Sequence, residues 1–324
     1  MIITRSPLRI TLGGGGTDLP SYYKEFGGFL ISAAINRYVY SSVLEPYANG
    51  IYLKYSKREK TNSINKINHP IIREVMKKFK HNSKRIEITT LAEIPAGTGL
   101  GSSGSFTTSL LKCMYSLNNK KINKYQLAEA ACDIEINKLK EPVGKQDQFI
   151  ASYGGLKVFR INNKGKVNVS SLDITKETKE KLQNNLLLFF TGYTRFSSLI
   201  LKKQDNETKQ KISQTIENLK EIKKIGYLSK KLIENNDLYQ FGKLLDHHWN
   251  IKKKRANNMS NSKINNIYED ALNHGALGGK LVGAGGGGFL MFYAKNPNLL
   301  RKRLHKYNIN EVKFLFDEEG TKVI

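Results

Sequence analysis

Pro95-Ala96-Gly97-Thr98-Gly99-Leu100-Gly101-Ser102-Ser103-Gly104-Ser105 lies between a strand-like run, Arg85 to Ile94, and an apolar run of helical period, Phe106 to Leu117. Its four glycines, and the absence of any side chain larger than Leu, let successive backbone N–H groups approach a polyphosphate. The adjoining helix aims the positive end of its dipole at the same place. Hydroxyls at Ser102, Ser103 and Ser105 can bind phosphate oxygens or a magnesium ion. The stretch has no Gly-Lys-Ser/Thr, so it is not a Walker A loop, and the neutralising charge must come from elsewhere in the chain.

Outward from this loop, two glycine clusters and two acidic residues carry chemistry. Residues 2 to 12 (IITRSPLRITL) read as a strand interrupted at Pro7 and deliver Gly13-Gly14-Gly15-Gly16-Thr17-Asp18-Leu19-Pro20. Gly15 and Gly16 let a ligand approach the main chain, and Thr17 and Asp18 offer polar groups to sugar hydroxyls. Toward the other end, Gly278 to Phe292 places a glycine turn between two strand-like runs. Gly285 and Gly286 there allow a tight approach, and Lys280 can reach a phosphate as a point charge. The helical run Lys124 to Leu139 puts Glu135 on one face with Ala128, Ala131, Cys132 and Leu139. A carboxylate in such company either borders the stripe or binds a cation. Asp147, in Glu141-Pro142-Val143-Gly144-Lys145-Gln146-Asp147-Gln148, either caps a following helix or accepts a proton.

The string Pro-x-x-x-Gly-Leu-Gly-Ser-Ser resembles the second motif of the GHMP kinases, the galactokinase, homoserine, mevalonate and phosphomevalonate kinase superfamily. Ser6-Pro7-Leu8-Arg9 is similar to the family's Ala-Pro-Gly-Arg, Thr17-Asp18 to its sugar-binding pair, and residues 278–292 to its third motif. The resemblance implies an α+β, two-domain fold: an N-terminal ATP-binding domain over 1–183, like ribosomal protein S5 domain 2, and a ferredoxin-like C-terminal domain over 184–324. It implies ATP and Mg²⁺, with the metal on Glu135 and Ser103, and Asp147 facing the acceptor hydroxyl. Arg9 or Lys145 would keep that carboxylate ionised. Where galactokinases have Gly-Glu-His before the sugar-binding pair this chain has glycine, and GGGGTDLP resembles the D-glycero-D-manno-heptose 7-phosphate kinases and their fucokinase-like relatives. Arg195, after a strand and Gly192, either forks onto a substrate phosphate or starts a helix in solvent.

Composition sets the remaining bounds. A chain of 324 residues has ample core for two domains. The net charge of +25 invites a nucleic-acid reading. The lysines, however, are spread along the chain with abundant Asn and Ile, so the charge is read as a field that gathers anionic small molecules, not as a nucleic-acid surface. No apolar run approaches membrane-spanning length and no leader is apparent, so a cytoplasmic location is expected, without a membrane partner. Cys113 and Cys132 fall in apolar helical patterns and read as packed thiols. His247-His248-Trp249 reads as core and surface residues, because adjacent side chains on a helix diverge. A homo-oligomer is compatible with the sequence but not legible in it.

Overall fold

The computed structural model describes residues 1–79, 85–192, 197–255 and 259–324. In chain order the elements are β1 (Ile2–Gly13), α1 (Pro20–Phe26), β2 (Gly28–Leu44), β3 (Gly50–Lys54), β4 (Arg58–Thr61), α2 (Pro70–Lys78), β5 (Arg85–Ala92), α3 (Ser102–Leu117) and α4 (Lys124–Cys132). Next come α5 (Gln146–Tyr153), β6 (Leu156–Ile161), β7 (Val167–Ser171), α6 (Lys176–Asn185), β8 (Leu186–Phe190), α7 (Ser197–Lys209), α8 (Ser213–Glu234) and α9 (Leu238–Lys253). The chain ends through α10 (Ser262–Asn273), β9 (Ala276–Leu281), β10 (Phe289–Ala294), α11 (Pro297–Leu304) and β11 (Lys322–Val323).

The architecture is the expected α+β one, with a mixed sheet in the first unit and a separate three-stranded sheet, β8-β10-β9, in the second. In the first sheet the order is β11-β1-β2-β5-β3-β4, with β6 and β7 continuing from β2. Only β3 and β5 run parallel among the described pairs. β2 is the spine. Its first eight residues are buried on both faces, and beyond them burial alternates, as a strand covered on one side requires. Phe29 and Ile31 face Ile233, Phe241 and the strands of the second unit. Leu30 and Ala34 face the opposite layer, with Ala128, Phe149 and Ile150. The two units thus share one apolar core across the first sheet.

Pro7 is tolerated inside β1 because the register with β2 shifts between Pro7 and Leu8, and such a bulge needs no N–H from the proline. No strand forms over 311–316. Residues 311 and 316 make isolated bridges to Phe189 and Ile35, since this segment crosses from one sheet to the other and cannot ladder with either. The second sheet therefore holds three strands among the described residues. The division 1–183 and 184–324 separates the two sheets except at β11, which pairs with β1.

Main chain meets main chain where the glycine turn before β10 reaches the Pro95–Ser105 loop. A Cβ on Gly283 would lie 2.5 Å from the Gly99 Cα, and one on Gly288 would lie 2.1 Å from the Thr98 carbonyl oxygen. Gly288 has φ +94 and Gly192 has φ +82, but among the described residues nothing lies within 4 Å of a Cβ added at Gly192. Gly192→Ala should therefore cost about 1 kcal/mol, the left-handed strain alone, whereas Gly288→Ala should cost about 3 kcal/mol or more. Denaturant midpoints of the two variants against wild type measure the difference.

Candidate active site

Two pockets meet beneath that glycine contact. One is lined by Gly97, Gly99, Gly101, Ser102 and Ser103 of the loop and, at its apolar end, by Val39, His69, Ile71, Ala92 and Phe106. His69 stacks on Phe106 with ring centroids 4.9 Å apart. This pocket combines amide donors at a helix N-terminus with a flat apolar slot, which suits a nucleotide. The other pocket is smaller and polar, lined by Thr11, Gly15, Gly16, Asp18, Gly144 and Gln146 on one wall and by Gln204, His248, Lys252, Arg255 and Lys280 on the other. Arg9, Asp147, Val143, Leu201, Gly283 and Ala284 border both.

Arg9 and Asp147 make the junction. The guanidinium Nε donates to Asp147 Oδ1 at 2.8 Å and Nη2 to Oδ2 at 3.2 Å. Nη1 donates to the Gly99 carbonyl, and the Arg9 amide donates to the Leu100 carbonyl at 2.9 Å. Asp147 lies in the first turn of α5, so it does not cap that helix. Lys145 points elsewhere: its ammonium donates to Glu129 at 2.9 and 3.1 Å and to the Gly165 carbonyl at 2.7 Å. Of the two cations expected beside Asp147, Arg9 alone is there, because Lys145 precedes α5 and projects toward α4.

Asp18 is buried, with Oδ1 accepting from the Gly16 amide at 3.1 Å and Oδ2 from the Gln146 amide at 3.0 Å. Burial pushes its carboxyl above the usual range, and the charge of Asp147 adds to this. Gly144 is required beneath it, since a Cβ there would sit 1.9 Å from Asp18 Oδ2. Thr17 is drawn into the scaffold instead, donating to the Gly14 and Phe29 carbonyls at 2.8 and 2.9 Å. Its neighbour Asp18 presents the polar group to the pocket.

At the loop's far side Glu135 is 1% exposed. It accepts from the Ser103 hydroxyl and, at 3.0 Å, from Gln148 Nε2. α4 widens over 133–138 into a π-helical turn, and this insertion turns the carboxylate inward, as such bulges often do at functional sites. Burial pushes its pKa up to about 7, against the lowering effect of its hydrogen bonds. The Oγ of Ser102, the residue before Ser103, is buried without a partner among the described residues. A buried carboxylate with only neutral donors, next to an orphaned hydroxyl, fits a small hard cation. Magnesium takes one or two protein carboxylates and draws its other ligands from phosphates and water. That also accounts for the lack of any larger ligand cluster among the described residues.

The opposite wall is cationic. Lys280 is 3% exposed and donates to His248 Nδ1 at 3.1 Å. Lys252 donates to the Leu281 and Gly283 carbonyls at 2.9 and 2.5 Å. Burial lowers Lys280 to about 7, with Arg9 adding repulsion, and lowers Lys252 and His248 well below their ordinary values. None of these bonds goes to a carboxylate, and such a wall is stabilised by an anion.

Several expected loop residues serve the scaffold. Ser105 donates to the Pro7 and Gly101 carbonyls at 2.7 and 3.1 Å, so its hydroxyl is turned away from the nucleotide pocket. Leu100 is core, Gly104 packs on α5, and Pro95 accepts from Thr98 Oγ1 at 2.9 Å. Gly285 and Gly286 pack on Met259, and it is Gly283 and Ala284 that reach the pockets. Arg195 lies outside the described residues. Sequence reasoning missed Gln146, Gln204, His248, Lys252 and Arg255. The last three stand at i, i+4 and i+7, a basic stripe on one side of α9 and its continuation, and that spacing was the available signal.

Residues 65–155 match the family model described as GHMP kinases N terminal domain, and residues 229–310 match GHMP kinases C terminal. The chain is 29% identical to the D-glycero-alpha-D-manno-heptose 7-phosphate kinase of Campylobacter jejuni, over 99% of this chain and 98% of that protein. It is 23% identical to the bifunctional fucokinase/GDP-fucose pyrophosphorylase of Arabidopsis thaliana, over 95% of this chain but 31% of that longer protein. Among solved structures, a D-glycero-D-manno-heptose 1-phosphate kinase from Bacteroides thetaiotaomicron superposes with a TM-score of 0.82 at 24% identity, covering 100% of this chain and 99% of that one. These likenesses identify a kinase.

Gly104 offers a direct test of the geometry. An added Cβ would meet Asp147 Cβ at 2.7 Å and the Gln148 amide nitrogen at 2.9 Å. Gly104→Ala should gain helix propensity while overpacking the α3–α5 contact, leaving stability within about 2 kcal/mol of wild type. Displacement of Asp147 should still lower turnover by about tenfold or more. Denaturant titration and ADP release read the two effects separately.

Proposed function

We propose that this chain, which belongs to the GHMP kinase superfamily, transfers the γ-phosphoryl of ATP to the anomeric hydroxyl of D-glycero-D-manno-heptose 7-phosphate. The product would be the 1,7-bisphosphate, a precursor of nucleotide-activated heptose for surface polysaccharides. One observation carries the reading: the Arg9–Asp147 pair stands where a pocket of loop amides opens into a sugar-sized pocket with a cationic wall. The likeness to the Campylobacter jejuni heptose kinase along nearly the whole of both chains supports the choice of acceptor. A fucokinase-like enzyme acting on an unphosphorylated sugar is the alternative, and in it the cationic wall would meet only the migrating phosphoryl group.

In this reading residues 1–183 supply the nucleotide pocket, and 184–324 supply the cationic wall. The triphosphate lies along the amides of Gly97 to Ser103 at the N-terminus of α3, with the base toward His69 and Phe106. The sugar hydroxyls lie against Asp18, Thr11 and the Gly15–Gly16 main chain. Asp147, oriented by the two-pronged grip of Arg9, accepts the proton of the attacking hydroxyl. That oxygen bonds to the γ-phosphorus as the bond to the β,γ-bridging oxygen breaks, and the electron pair leaves on ADP. Arg9 and Lys280 lie where charge on the migrating group needs neutralising. Glu135, Ser103 and Ser102 would hold Mg²⁺, which supplies charge neutralisation at the β- and γ-phosphates.

Asp147→Asn should retain ATP binding by calorimetry and lose a hundredfold or more in kcat; a kcat within a few-fold of wild type would remove the base assignment. Lys280 provides a pH test. Its ammonium is lowered to about 7 by burial and by Arg9, and His248 and Lys252 of α9 also face it. An anion stabilises the charged form, so kcat/KM for the phosphorylated acceptor should fall as pH rises above about 7. Lys280→Met should be slower throughout and lack that decline.

A further inference from the structure

Arg255, just beyond α9, is held at two of its three nitrogens. Nη1 donates to Gln204 Oε1 at 2.6 Å and Nε reaches Asn218 Oδ1 at 3.4 Å. Gln204, from α7, in turn donates through Nε2 to the Gly16 carbonyl at 3.3 Å. Its amide therefore ties the sugar-side glycine turn to the guanidinium. Nη2 is buried and has no partner among the described residues. An unpartnered guanidinium nitrogen at the edge of a ligand pocket, with the rest of the fork fixed, marks an incomplete site. A Cβ added at Gly16 would lie 3.2 Å from Gln204 Nε2 and 3.4 Å from Arg255 Nη1, so the guanidinium borders the sugar-side glycine turn, whereas Lys280 meets His248 on the opposite wall.

We infer that Arg255 is the residue that distinguishes a phosphorylated from an unphosphorylated acceptor. Nη2 binds the phosphate monoester on the sugar's terminal carbon, and Gln204 acts as a positioning residue that presets the fork. The inference rests on the heptose 7-phosphate reading and sharpens it. A sugar anchored at both ends, by Asp18 and Asp147 at the ring and by Arg255 at the arm, has its reacting hydroxyl fixed before ATP is attacked. Gln204 is suited to the task because a neutral amide orients the guanidinium without neutralising it, as a carboxylate would.

The test compares D-glycero-D-manno-heptose 7-phosphate with unphosphorylated D-glycero-D-manno-heptose in steady-state kinetics of wild type, Arg255→Gln, Arg255→Lys and Gln204→Ala. Loss of a charge-assisted bond predicts a rise in KM for the phosphorylated sugar of about 10- to 100-fold in Arg255→Gln, with KM for ATP within about twofold. Gln204→Ala should move the same KM by a smaller factor at nearly constant kcat, and Arg255→Lys should recover part of the loss. Calorimetric binding of orthophosphate, with a non-hydrolysable ATP analogue saturating, gives a readout without turnover and should weaken in Arg255→Gln. A wild type that prefers the phosphorylated sugar, with that preference and orthophosphate binding unchanged in Arg255→Gln, overturns the role of Arg255 and leaves the heptose 7-phosphate reading standing. A wild type that uses the unphosphorylated sugar equally well overturns both. Thermal midpoints confirm that the variants fold, and an unfolded Arg255→Gln passes the decision to Gln204→Ala.

Discussion

The two-pronged ion pair between Arg9 and Asp147 is the constraint on which the rest of the structure depends. Arg9 lies on a central strand and is 7% exposed, so its guanidinium has little freedom. Its three nitrogens are divided between Asp147 and the Gly99 carbonyl of the nucleotide loop. One side chain thereby fixes the distance between the first strand, the loop and the first turn of α5. The bulge at Pro7 belongs to the same arrangement: the Pro7 carbonyl accepts from Ser105 at the base of α3, and the Arg9 amide meets Leu100 two residues on. Removing Arg9 would leave the carboxylate without its cation and release the loop together with it.

The cationic wall shows the opposite economy. Lys280, Lys252 and His248 are desolvated by the second unit, and each is lowered from its ordinary value for that reason first. Desolvating an ammonium without a carboxylate partner costs stability, so the free protein stores in this wall some of the energy that an anionic ligand would release. Asp18 and Glu135 do the same with the sign reversed. The polar pocket thus sets cations deprived of counter-charge on one wall against Asp18 on the other, while Glu135 stands without a counter-charge behind the hydroxyl of Ser103.

The parts of the site that the sequence discloses are those made by the main chain. A run of glycines before a helical period defines a phosphate-gripping loop whatever surrounds it, and the loop from Gly97 to Ser103 lines its pocket as its spacing implies. Side-chain direction is less legible. Lys145 and Asp147 are two residues apart, yet one turns to Glu129 and the other to Arg9, because α5 begins between them. Thr17 and Asp18 part in the same way, one into the scaffold and one into the pocket. Gly285 and Gly286 yield to Gly283 and Ala284 because Met259 occupies the space beside them, and that contact is tertiary. The stripe of His248, Lys252 and Arg255 has helical spacing that sequence could reveal. Among so many scattered lysines, though, a functional basic face does not stand apart from a solvated one until the fold buries it.

The widened turn at 133–138 fixes how this region can change over evolutionary time. A π-helical turn carries one residue more than the α-helix would need, and each residue added or lost rotates the downstream chain by about 100°. Deleting one residue here would return the helix to regular hydrogen bonding, a local gain, and would swing Glu135 away from Ser103. The irregularity gives up regular helix and gains an inward carboxylate, so a change of one residue in the length of this turn would be felt first at Ser103 and Gln148.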